Sequence, residues 1–127
     1  MNLKKFLTYT SVIEALTGFL LIVLPSRVVS LLFGVEITEG GGIILTMIAG
    51  AAIFSLSVVV WLARQNNVST DIVIMLFIYN LLLTAIPLLG AFSYMFHGVG
   101  LWLVILFHIM QSVICAIFLK KNKTIKI

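Results

Sequence analysis

The stretch IILTMIAGAAIFSLSVVVWLA, residues Ile43–Ala63, runs from end to end without a charged side chain. At a rise of 1.5 Å per residue it covers about 30 Å, the thickness of a bilayer's hydrocarbon core. Lipid offers nothing to an unpaired backbone N–H or C=O, so a run this long reads as a transmembrane helix and not as a strand. Three further runs are similarly long and apolar: Phe6–Leu24, which carries one charged residue, Glu14, and Ile72–Leu89 and Gly98–Leu119. The whole chain of 127 residues is 62% hydrophobic and 9% charged. Soluble domains carry about 25% charged residues. With a mean hydropathy of +1.27, the composition is that of a membrane protein. The expectation is an all-α membrane protein in one integral-membrane domain, residues 1–127, built as an antiparallel bundle of four transmembrane helices. The first run has a basic start, but Glu14 interrupts it and no A-x-A site follows, so it reads as a retained helix and not a cleaved signal.

Charge sets the orientation. If both termini are cytoplasmic, the inside holds Lys4, Lys5, Arg64, Lys120, Lys121, Lys123 and Lys126, and the outside holds Arg27 beside Glu36 and Glu39. Seven against one is a firm positive-inside bias. The net charge of +4 therefore reads as a topology signal facing an anionic leaflet, with no nucleic-acid partner.

The connections are also legible. In LPSRVVSLLFGVEITEGGG, residues Leu24–Gly42, Pro25 and Ser26 resemble a helix start and Gly34 a stop. A short interfacial helix is expected there, between spans one and two, with Arg27 reaching the headgroups. The run Gly40–Gly42 reads as a flexible lead into the next helix. RQNNVSTD, residues Arg64–Asp71, is a short turn with Ser69 or Thr70 as its expected N-cap. GAFSYMFHGVG, residues Gly90–Gly100, is an aromatic outer link, and Tyr9, Trp61, Tyr94 and Trp102 suit the aromatic belts at the two interfaces.

Within the spans, a polar layer stands out. Glu14, Asn80, Ser55 and Gln111 each lie eight residues from the inner end of their run, about 12 Å deep. His108 falls one turn further out, on the helical face of Gln111, Ser112 and Cys115. Thr10, Glu14, Thr17 and Gly18 form one stripe on the first helix, and Asn80, Thr84 and Pro87 another on the third. Gly42, Thr46 and Gly50 give the second helix a surface that permits close helix contact. The expected ligand or proton site is Glu14, Asn80, His108 and Gln111, supported by Thr17, Ser55 and Thr84. An intramembrane carboxylate is a functional hypothesis by default, because burying it costs roughly 2.5–3.5 kcal/mol on insertion scales. No Lys or Arg shares the depth of Glu14. It must be neutral, paired or hydrated, which makes it a candidate proton carrier or cation site.

Other chemistries find no support in the sequence. Cys115 is the single cysteine, so an intramolecular disulfide and a CxxC redox centre are both excluded. No metal site is expected: His97 precedes His108 by eleven residues, about 17 Å along a helix. There is no nucleophile motif and no phosphate-binding loop, and no cofactor is implied. A Glu14/His108 acid–base pair acting on an apolar substrate is the remaining enzymatic reading, and it ranks below binding.

Three short motifs, VIEALTG (Val12–Gly18), IYN (Ile78–Asn80) and FH (Phe107–His108), occur on four spans of this size. In this the chain resembles the small four-span bacterial membrane proteins of the DoxX-like type. The resemblance implies a bacterial inner-membrane bundle. In length, span number and the depth of Glu14, the chain is also similar to the small multidrug resistance exporters. There a glutamate of the first helix exchanges protons for cationic drugs, a role that only Glu14 could inherit. The second helix lacks the aromatics of such a site, and the charge bias departs from that family's near-balanced topology. The leading expectation is an intramembrane pocket for a small apolar or amphipathic ligand, or for a partner membrane protein, and a homo-oligomer is compatible with it. Proton-coupled export is the alternative.

Overall fold

The computed structural model describes residues 2–65 and 70–124, with side chains as far as Lys121. Among these residues all regular structure is helical: α1 Leu3–Val23, α2 Pro25–Phe33, α3 Gly40–Ala63, α4 Thr70–Ser93 and α5 Val99–Thr124. Four of the helices, α1, α3, α4 and α5, are long and apolar enough to cross a membrane. The short α2 lies between the first two spans, where the proline and the glycine had placed it.

Local chemistry explains the boundaries. Asn2 caps α1, its side-chain oxygen accepting from the Lys4 N–H at 2.8 Å. Pro25 stands at the first position of α2, where its missing N–H is not needed. Gly34 ends that helix in the left-handed region, φ 71°, with its N–H donating to the Ser30 carbonyl. The glycine run is the main departure from expectation: Gly40–Gly42 form the first turn of α3, which Ile43 N–H closes on the Glu39 carbonyl at 3.2 Å. First-turn N–H groups have no intrahelical partner in any case, so weak helix formers are tolerated there. The spans run three to five residues beyond several apolar limits because helices continue into the headgroup region. Thr70 is the first residue of α4. Ser69, the other expected cap, and Lys126 of the basic tail lie outside the described residues.

The helices pair α1 with α3 and α4 with α5. Thr8 of α1 meets Arg64 at the foot of α3, while Gly18 meets Gly50 further along, so the first pair is antiparallel. The two glycines let the backbones touch. A Cβ on Gly18 would stand 2.6 Å from the Phe54 nitrogen and 2.7 Å from the Gly50 carbonyl oxygen.

The four spans meet in an apolar cluster at the end of the bundle that holds both termini. Phe6 and Leu7 of α1, Val60 of α3, Val73 and Leu76 of α4 and Cys115 of α5 are all buried there. Cys115 is thus a core thiol. Outside this cluster the exterior is apolar, with Leu16, Phe19, Leu45, Ile48, Ile86 and Leu103 exposed, as a lipid-facing surface requires. Tyr9, Trp61, Tyr94 and Trp102 are exposed too, as interfacial aromatics should be.

Candidate functional site

Immediately beyond the apolar cluster, polar side chains replace apolar ones in the bundle interior. Thr10, Ser11 and Glu14 from α1, Ser57 from α3, Asn80 from α4 and His108, Gln111 and Ser112 from α5 are all buried. Buried polar groups in a membrane need partners, and three hydrogen bonds between helices supply most of them.

The first joins α4 to α5. The Asn80 amide nitrogen donates to the Leu76 carbonyl at 2.7 Å, which fixes the amide so that Oδ1 faces His108. That oxygen can only accept, so the His108 Nδ1 at 2.7 Å carries the proton. In the neutral ring Nε2 remains as an acceptor. The second bond joins α1 to α5, with the Thr10 hydroxyl donating to Gln111 Oε1 at 3.2 Å. The third joins α4 to α1: the Tyr79 hydroxyl donates to Glu14 Oε2 at 2.9 Å. Tyr79 also meets the His108 ring edge to face, with centroids 6.0 Å apart, so the phenol links the carboxyl to the imidazole–amide pair.

Glu14 is 4% exposed, and its other oxygen, Oε1, is buried with no hydrogen-bond partner among the described residues. Arg64, the arginine at the foot of α3, is engaged elsewhere. Its guanidinium lies 3.3 Å above the Trp61 ring centroid and donates to the Thr8 hydroxyl at 3.4 Å. The layer therefore presents an acceptor oxygen with nothing donating to it, beside a phenol and an imidazole. Ser112 is a second such group: it is 7% exposed and its hydroxyl also lacks a partner. It borders an apolar groove of about 280 Å³ between α4 and α5, which Thr84 lines as well.

All four residues expected at the site lie in this layer, although they form pairs and not a single ring. The supporting three sit differently. Thr17 and Thr84 turn their hydroxyls back onto the Ile13 and Asn80 carbonyls of their own helices. Ser55 is exposed on the outside of α3, bonded to the Ala51 carbonyl. Ser57, two residues on, is the serine of α3 that faces inward. Sequence depth alone does not distinguish them, since two residues are about 200° apart on a helix.

The residue that depth reasoning missed is Tyr79. It is adjacent to Asn80 and so about 100° round the helix, which lets one side chain meet α5 while the other reaches α1. A tyrosine beside a buried amide was the available signal. Removing its hydroxyl by Tyr79→Phe should lower stability by about 1 kcal/mol, somewhat more than the usual worth of an interhelical hydrogen bond in a membrane, because Glu14 Oε2 is left buried without its donor. Unfolding titrated with denaturing detergent would measure this.

Searches of protein-family models, curated proteins and solved structures find no match for this chain.

Proposed function

We propose that this integral membrane protein binds a small amphipathic molecule through its polar layer, with Glu14 receiving a donor group of the ligand. The observation that carries this reading is the buried, unpartnered Oε1 of Glu14. An unsatisfied carboxyl oxygen inside a bilayer is costly, and a hydroxyl or amine on a ligand would relieve that cost. Tyr79 holds the other oxygen and so positions the carboxyl, while His108 Nε2 offers a second point of attachment. The ligand's remaining surface is apolar in this account, in keeping with the lipid-facing exterior of every span.

In this reading both termini are cytoplasmic, which the positive-inside bias supports, and the membrane is a bacterial inner membrane, as the resemblance to DoxX-like proteins implies. A partner membrane protein offering a donor from its own helix would satisfy the same oxygen. Proton-coupled export is the second reading, favoured by the same carboxyl without a counter-ion.

The test is purification of the native chain and of Glu14→Gln from membranes, with extraction and mass spectrometry of what accompanies each. The expected result is an amphipathic species retained by the native protein and depleted about tenfold in the variant, one charge-assisted hydrogen bond's worth. In sealed vesicles the native protein should move no cationic dye in response to a pH gradient. Glu14-dependent movement would replace the binding account with the export one. Identical extracts and no transport would leave Glu14 a packing residue.

A further inference from the structure

A second site lies at the other end of the bundle, opposite the termini. The short α2, the link after it and the connection before α5 border an open groove of about 590 Å³. That volume is within the range of small-molecule sites. We propose that this groove holds the headgroup of a phospholipid bearing a primary amine, with Arg27 on the phosphate and Glu36 on the ammonium.

The groove is a built feature. Along one side the residue that precedes α5 approaches α2 backbone to backbone: a Cβ on Gly98 would overlap the Leu32 carbonyl. The His97 N–H donates to the Phe33 carbonyl at 3.3 Å. On the opposite wall the Ser26 hydroxyl reaches the Ile37 carbonyl at 3.4 Å, tying the link to α2. The glycine contact and these two bonds set the walls where they are.

The polar groups within it are of both signs. Arg27 and Glu36 line the same groove and make no ion pair with each other. Two opposite charges on one concave surface that do not pair with each other complement a zwitterion better than either an anion or a cation. A guanidinium pairs with phosphate oxygens in bidentate fashion. A carboxylate accepts from an ammonium N–H and has nothing to accept from a quaternary amine, which lacks N–H groups. His97 Nδ1 donates to the Met95 carbonyl at 2.9 Å, which holds the ring and leaves Nε2, in the neutral imidazole, as an acceptor suited to an ammonium N–H.

A lipid is the occupant that the surroundings favour over a free phosphoamine. Leu31 and Val99 also line the groove and are exposed, Val99 to 82%. They lead from the polar walls onto the lipid-facing surface, where acyl chains would continue. The groove also sits at the end of four helices long and apolar enough to cross a membrane, the level at which headgroups would lie. It is separate from the polar layer and does not depend on it.

Native mass spectrometry of the detergent-solubilised full chain tests this directly. The probes are phosphatidylethanolamine, phosphatidylcholine and phosphatidylglycerol with identical acyl chains, together with soluble phosphoethanolamine as competitor. Retention of the ethanolamine lipid is expected to exceed that of the other two. Arg27→Ala should reduce retention of all three, by about tenfold for a lost charge-assisted pair. Glu36→Gln should reduce the ethanolamine lipid to the level of the choline lipid and leave the others unchanged. Both residues are exposed, and helicity and elution volume of the variants should match the parent. Preference for the glycerol lipid, or indifference to both substitutions, would overturn the proposal. Displacement of bound lipid by equimolar phosphoethanolamine would overturn a lipid as the occupant.

Discussion

Gly18→Ala should destabilise the protein, although helix propensity alone argues the reverse. Replacing a helix-interior glycine by alanine is worth about 0.5–1 kcal/mol in favour of the helix. At Gly18 the new Cβ would lie 2.6 Å from one backbone atom of α3 and 2.7 Å from another. Backbone cannot rotate away as a side chain can, so α1 and α3 must separate, and overpacking of this kind costs about 1–3 kcal/mol. The packing term wins, and the net loss should be about 1–2 kcal/mol. Gly18→Leu should lose more. Gly41→Ala is the control, since a Cβ there meets nothing within 4 Å, and it should be neutral or stabilising. Unfolding in denaturing detergent gives all three values. Equal responses at Gly18 and Gly41 would mean that the crossing is not where it is described.

The second large effect is expected at Asn80. This side chain is 0% exposed and satisfies both His108 and a backbone carbonyl. Asn80→Leu leaves the Nδ1–H of His108 buried without an acceptor, at about 1–3 kcal/mol. Removing both partners is milder than removing one, because no orphan remains. Asn80→Leu combined with His108→Leu should therefore recover a good part of the loss, a coupling that a double-mutant cycle measures. Ligand retention should not recover with it. If the double variant regains both stability and ligand, the pair is packing alone.

The sequence revealed depth far better than direction. Long apolar runs located all four spans, and proline and glycine located α2, because the bilayer imposes a length and backbone chemistry imposes the stops. The polar residues at one depth were equally visible: Glu14, Asn80, His108 and Gln111 do share a layer. Azimuth was harder to read, since in a bundle surrounded by lipid the outside is as apolar as the inside. Ser55 and Ser57 are the clear case, two serines of one helix that face opposite ways. Tyr79 shows a second limit. Its ring extends well beyond its own helix, so its contact with Glu14 depends on where α1 stands and not on any spacing within α4. The 590 Å³ groove likewise depends on two segments that are distant in the chain, 26–38 and 97–99.

The central claim is that Glu14, held at one oxygen by Tyr79, presents the other to a ligand. Infrared difference spectroscopy of reconstituted protein addresses this directly, with Glu14→Gln identifying the carboxyl signal. That signal should shift in Tyr79→Phe, and it should shift again between protein stripped of its amphipathic ligand and protein to which the extract has been restored. A signal that moves with Tyr79 but is the same in stripped and loaded protein would contradict the claim, leaving a hydrogen-bonded carboxyl that serves packing alone.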